Sequence, residues 1–158
     1  MAEGIYHRKI KKIIYKIASA SRNHKKVFKE RRIPIPHPTQ SLKPLMYLPE
    51  ITIHTKRGKK YIFEILDSQG KDQNLIIADI IQSYLVENAC KVFFIAKNKT
   101  EESTVKRLSD IIGARLEENG YYVKELPLVT VYLLEKNLRN EEKLTSTLLE
   151  YAKKDKWI

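Results

Sequence analysis

The spacing of hydrophobic residues near the N-terminus predicts an amphipathic helix. Ile10, Ile13, Ile14 and Ile17 recur at helical intervals, so a helix is expected over residues 5–20. Its apolar stripe is narrow and consists only of isoleucine, which favours docking against a core over lying on a membrane. The helix therefore belongs with a folded body.

The next two segments differ in composition from the rest of the chain. Residues 21–32 remain basic, and helix is expected there too. Residues 33–44 contain four prolines, which favour an extended connector. These features divide the chain into a basic N-terminal arm over 1–32, a proline-rich connector over 33–44 and a single core domain over 45–158.

The remaining pattern predicts an α+β core. Strands are predicted at 45–55, 61–67, 91–98 and 127–135, with residues 51–67 forming a hairpin around Gly58. Helices are predicted at 75–89, from a cap at Thr100 to about 119, and after a cap at Asn140. The order αββαβαβα indicates a mixed β-sheet of about four strands flanked by helices.

Positive charge is concentrated at the N-terminus. Residues 1–32 hold eleven basic and two acidic side chains, a net charge of +9 out of +11 for the whole chain. Such a block indicates a polyanion-binding element, and nucleic acid is the favoured partner. A solvated basic face, an acidic protein and an anionic membrane are left open. The predicted DNA-binding residues are Arg8, Lys9, Lys11, Lys12, Lys16, Arg22, Lys25, Lys26, Arg31 and Arg32.

Missing motifs exclude several kinds of chemistry. The chain has no GxxxxGK[ST] or GxGxxG motif for a nucleotide, and its scattered histidines and single cysteine do not suit zinc. No apolar run approaches the roughly 20 residues that a membrane span needs. We therefore expect a cytoplasmic protein with no membrane segment.

Carboxylates on the predicted hairpin are the main candidates for chemistry. Glu64 lies inside the apolar strand YIFEILD, where a charge is costly unless it is paired, metal-bound or facing a cleft. Glu50 follows Pro49 on the neighbouring strand, and Asp67 ends the strand of Glu64. Glu50 and Glu64 can converge on one Mg²⁺ or Mn²⁺ ion, since such ions prefer oxygen ligands. A Glu64 that faces solvent is the alternative.

Glu87 completes the predicted catalytic set of Glu87, Glu64, Glu50 and Asp67. Helical geometry places it near Ile80 and Tyr84, at the border of an apolar face. Partial desolvation there would raise its pKa and suit it to act as a general base. An exposed glutamate paired with Lys91 is the equal alternative.

These motifs together resemble the PD-(D/E)XK nuclease superfamily, and archaeal Holliday junction resolvases in particular. The resemblance rests on Pro49-Glu50, a hairpin turn, YIFEIL, a helix carrying Gln82 and Tyr84, and KVFFIAKN. It implies a first acid at the start of the second strand, here Glu50, and a second acid in the third strand, here Glu64. The family's lysine position falls on Leu66, so either Lys60 or Lys71 replaces that lysine or the catalytic layout is different.

The size, the composition rich in Ile and Lys, and the basic arm also look like small DNA-degrading proteins of crenarchaeal filamentous viruses. The resemblance implies a divergent restriction-endonuclease-like topology, or one distantly like nucleotidyltransferases, whose Gly-Ser motif is not visible. We expect a metal-dependent nuclease that hydrolyses DNA, with linear double-stranded DNA as the substrate. A non-catalytic basic DNA-binding protein is the alternative, a homodimer is left open, and a viral protein would act in the host cytoplasm.

Overall fold

A computed structural model describes residues 5–22, 24–35, 45–66, 73–120, 126–134 and 139–158. Its helices are α1 (Ile5–Ala20), α2 (Gln73–Leu85), α3 (Lys99–Glu118) and α4 (Glu141–Lys154). Its strands are β1 (His24–Lys29), β2 (Ile33–Ile35), β3 (Leu45–Tyr47), β4 (Ile51–Thr55), β5 (Lys60–Ile65), β6 (Ala89–Ala96) and β7 (Leu128–Leu133). The α+β class is confirmed. In this described part of the chain, no helix has both the length and the apolar character needed to cross a membrane.

Five strands form the main sheet in the order β1-β4-β5-β6-β7. The pairs β1–β4 and β4–β5 are antiparallel, whereas β5–β6 and β6–β7 are parallel. Parallel neighbours need crossover connections, and α2 and α3 lie in the two crossovers. The main sheet thus has one strand more than the expected count of about four. Strands β2 and β3 form a separate antiparallel pair.

Each face of the main sheet buries its own hydrophobic cluster. Helices α1 and α4 cover one face, where Ile10, Phe63 and Trp157 are fully buried. The β2–β3 pair, α2 and α3 contribute to the other cluster, which includes Tyr47 and Ile62. Because side chains alternate along a strand, Glu64 points to the same face as Ile62. The buried carboxylate therefore lies on the α2 side of the sheet.

The predicted helix at 21–32 is wrong, because this segment contains the edge strand β1. Val27 packs against the α1 side of the core, and β1 pairs with β4 along its length. The predicted helix at 5–20 is confirmed, and the isoleucines of its apolar stripe, from Ile10 to Ile17, lie in the same core. Residues of the predicted arm thus contribute to the main sheet and its interior.

Several element boundaries differ from the prediction. The predicted strand at 45–55 is divided into β3 and β4 around Pro49, which has no N–H to donate to a ladder. Helix α2 ends at Leu85, four residues early, and the side chain of Asn98 caps α3 in place of Thr100. The cap at Asn140 is confirmed. Of the predicted connector, Ile33–Ile35 forms β2, and residues 36–44 lie outside the described part.

Candidate functional site

Strand register places three glutamates side by side at one end of the main sheet. Ile51 of β4 pairs with Lys29 of β1 on one side and with Phe63 of β5 on the other. The next position on each of these three segments is a glutamate: Glu30 follows Lys29, Glu50 precedes Ile51 and Glu64 follows Phe63. The backbone N–H of Glu30 donates to the carbonyl of Glu50 at 3.0 Å. We call these three residues the acid row.

Glu64 is the most buried member of the acid row, with 6% of its surface exposed. The hydroxyl of Tyr47 donates to its Oε1 at 2.5 Å, so the β2–β3 pair covers this carboxyl group. Burial, and then the charge of nearby Asp79, raises the pKa of Glu64 well above its usual value. The fold therefore favours the neutral form of Glu64 when no cation is present.

Asp79 on α2 is a site residue that the sequence analysis missed. Burial, together with the charge of Glu50, raises the pKa of Asp79 to about 7. Asp79 is the only charged residue of α2, and it lies between the buried residues Ile76 and Ile80. A single charged residue among isoleucines is the sequence feature that could have identified Asp79 as a site residue. We call Glu50, Glu64 and Asp79 the acid cluster. It shares Glu50 and Glu64 with the acid row and has Asp79 in place of Glu30.

Glu50 is held by two side chains that α1 presents one helical turn apart. His7 Nε2 lies 2.9 Å from Oε1 of Glu50, and Lys11 Nζ lies 3.3 Å from Oε2. Burial opposes the ionised form, but these two contacts outweigh it and lower the pKa of Glu50. The contacts of His7 and Lys11 therefore favour the ionised form of Glu50.

Lys11 also pairs with the third member of the acid row, since its Nζ lies 2.6 Å from Oε1 of Glu30. Glu30 follows β1 with a positive φ of 48°, a conformation that is uncommon for a residue other than glycine. Only 10% of the Lys11 side chain is exposed, so its predicted placement on a DNA-binding surface is wrong. Lys11 is instead paired with Glu30 and Glu50 inside the protein.

The other predicted DNA-binding side chains divide into three groups. Lys9 is half-buried, with Nζ 3.9 Å from Oε2 of Glu141. The side chain of Lys25 lies outside the described part. The exposed residues are Arg8, Lys12, Lys16, Arg22, Lys26, Arg31 and Arg32.

Glu87 does not join the acid cluster. Because α2 ends at Leu85, Glu87 lies exposed in the following turn, so its predicted place at the border of the helix is wrong. Lys60 donates from Nζ to the Glu87 carbonyl at 3.0 Å, which places both residues at the start of β5. That point is roughly 13 Å along the strand from Glu64. Asp67 and Lys71 lie outside the described residues.

The acid cluster fits a divalent cation in its chemistry. The described ranges contain no ready-made group of three His, Cys, Asp or Glu side chains around a common point. Mg²⁺, however, is commonly held by one or two carboxylates together with water molecules. Burial first, and then the charge of a neighbouring carboxylate, raises the pKa of both Glu64 and Asp79, and a bound cation would oppose both effects. Glu50, Glu64 and Asp79 are the residues that would hold it.

Comparison of the chain with protein-family models, with curated proteins and with solved structures found no match.

The contacts of Lys11 generate a prediction about stability. Lys11→Ala should lower the free energy of unfolding by about 3 kcal/mol, because it leaves the carboxylate of Glu50 without one of its cations. Lys12→Ala is the matched control, since Lys12 is exposed on the next position of α1, and it should change stability by less than about 0.5 kcal/mol. Urea denaturation measures both. Equal effects would show that the Lys11 pairs contribute nothing specific.

The environment of Asp79 predicts a dependence of stability on pH. Folding raises the pKa of Asp79 from 3.8 to about 7, so the folded state retains a proton that the unfolded chain loses. The free energy of unfolding should therefore fall by roughly 2–4 kcal/mol as pH rises from about 4 to 7, when chelator is present. Asp79→Asn should make this slope smaller by the share of Asp79 and leave the share of Glu64, whose pKa is also raised.

Asp110→Asn is the control for that measurement, because Asp110 is exposed on α3. It should keep the slope of the parent protein. A slope that persists unchanged in Asp79→Asn would assign the titration to another group.

Proposed function

We propose that this protein is a metal-dependent nuclease that hydrolyses the phosphodiester bonds of DNA. The observation that carries the proposal is the acid cluster, in which carboxyl groups from the start of β4, from β5 and from α2 act on one another electrostatically. A buried cluster of acids is costly for a fold, and a bound divalent ion would offset that cost.

The positions of the two glutamates support this proposal. The resemblance described above implies a first acid at the start of a second strand and a second acid within a third strand. In the order of the main sheet, β1 makes β4 the second strand and β5 the third. Glu50 directly precedes β4, and Glu64 lies within β5.

The contacts of Lys11 indicate how Glu50 can take part. Lys11 Nζ is 2.6 Å from Glu30 but 3.3 Å from Glu50. Of the two oxygens beside Lys11, Oε2 of Glu50 is therefore easier to release than Oε1 of Glu30. A metal ion could bind the released oxygen of Glu50 while Lys11 stays paired with Glu30. A bound divalent ion would supply stabilisation of charge on a phosphate group and activation of water.

Non-catalytic DNA binding is the second candidate function. The exposed cations of α1 and of the β1 region favour it, since phosphate contacts supply much of DNA affinity. A protein that only binds DNA would gain nothing from buried acids beside its cations, because carboxylates repel phosphate. The acid cluster therefore favours the enzyme.

Glutamine substitutions test the metal site. Glu50→Gln and Glu64→Gln keep the side-chain volume and remove the charge, so each should weaken Mn²⁺ binding by about 10–100-fold. Isothermal titration calorimetry measures that affinity. Glu87→Gln is the matched control, since Glu87 is exposed at the other end of β5, and it should bind Mn²⁺ as the parent does.

The same variants should lose cleavage of linear duplex DNA in Mg²⁺ or Mn²⁺, and chelator should abolish cleavage by the parent protein. Undiminished Mn²⁺ binding in both the Glu50 and Glu64 variants would refute the metal site. DNA binding without metal-dependent cleavage by the parent would favour the second candidate function.

A further inference from the structure

Cations and an aromatic ring lie together on β1, at the edge of the main sheet. The guanidinium carbon of Arg31 lies 4.0 Å from the centroid of the Phe28 ring, and Lys26 Nζ lies 5.1 Å from it. The ring of His54 on β4 meets Phe28 edge-on at 5.0 Å. We call Lys26, Phe28, Arg31 and His54 the edge patch.

The edge patch shares a face of the sheet with Glu64. Val27 points to the α1 side, so its neighbours Lys26 and Phe28 point to the opposite side, which is the side of Glu64. Phe28 is two residues before Glu30, the first member of the acid row. The ring therefore lies roughly 7 Å from the acid row along the strand direction.

We propose that the edge patch holds the backbone of duplex DNA beside the acid cluster. This inference rests on the proposed function and adds the surface on which the substrate lies. A phosphate group bound between Lys26 and Arg31 would place the adjoining stretch of the same strand next to Glu50, which is more exposed than Glu64. The cations would thus hold the substrate close to acids that repel it.

The cations of the edge patch are arranged differently from Lys9 and Lys11 of α1. Arg31 and Lys26 pack on an aromatic ring, which orients their charge without neutralising it. Lys11 is instead occupied by carboxylates, and Lys9 lies near Glu141. The edge patch is therefore better prepared to receive a phosphate.

Protection of the sheet edge is the competing explanation for Lys26. Basic side chains on an edge strand discourage pairing between the edges of two molecules. Protection of the edge would need the charge of Lys26, but it would not need Arg31 to pack on Phe28. Self-association of a variant would reveal it.

The test uses substitutions, because α1 and β1 contribute to the core and a deletion would remove buried residues. The variants are Lys26→Gln with Arg31→Gln, the control pair Lys12→Gln with Lys16→Gln, and Phe28→Leu. Lys12 and Lys16 are exposed on α1, so both pairs remove the same surface charge. Binding to a fluorescent 20-base-pair duplex is measured by anisotropy in EDTA at several salt concentrations.

We expect the edge-patch pair to lose about tenfold more affinity than the control pair. Its plot of log affinity against log salt should flatten by up to about 1.8, since each lost phosphate contact removes about 0.9. Phe28→Leu retains the cations and should also weaken binding, because the ring that orients them is gone. If Phe28→Leu does not fold, the two charge pairs decide the result.

Equal losses in the two charge pairs would overturn the proposal and assign DNA affinity to diffuse charge. Self-association of the edge-patch pair with unchanged DNA affinity would overturn it in favour of edge protection. Because binding is measured without metal, a parent protein that binds DNA but never cuts it refutes the nuclease and leaves the edge patch standing. A parent that binds no DNA would overturn both.

Discussion

The burial of one carboxyl group near the end of a core strand governs the arrangement of this site. An isolated charge at Glu64 would strongly destabilise the fold. The carboxyl group must therefore receive hydrogen bonds, be protonated or bind a cation. Tyr47, from the small β2–β3 pair, supplies a hydrogen bond. Asp79 from α2 and Glu50 before β4 supply negative charge that favours the protonated form. Three separate elements are therefore organised around a single side chain.

The side chains of the basic N-terminal region fall into an inward group and an outward group. Its inward side chains, His7 and Lys11, hold Glu50 in the ionised form at the end of the sheet. Its outward cations near β1 lie on the same sheet face as Glu64. Under the proposed function, a phosphate group would be attracted to these surface cations and a metal ion to the acid cluster.

The sequence was informative where one local pattern was decisive. The isoleucine spacing predicted α1, and the apolar strand around Glu64 indicated a carboxylate of unusual surroundings. Hydrophobic periodicity could not reveal β1, because Val27, which packs against the core, lies in a strand where most residues are basic. Local pattern also could not separate Lys11 from Lys12, since only contacts across the fold decide which one is buried.

Two further misses had a simple geometric origin. Extending α2 by four residues placed Glu87 beside the apolar face, whereas the helix ends before it. Asp79 was missed because a helical wheel does not show which border of α2 lies against the sheet. Register across β1, β4 and β5 depends on pairings between distant segments, so the acid row became visible only in three dimensions.

The central claim is that the acid cluster holds a divalent cation, and anomalous diffraction from crystals grown with Mn²⁺ tests it most directly. The account predicts an anomalous peak roughly 2 Å from carboxylate oxygens of Glu50 and Glu64, with Asp79 beside it and Lys11 retained by Glu30. A peak at another location, or none in crystals soaked at saturating Mn²⁺, would contradict it.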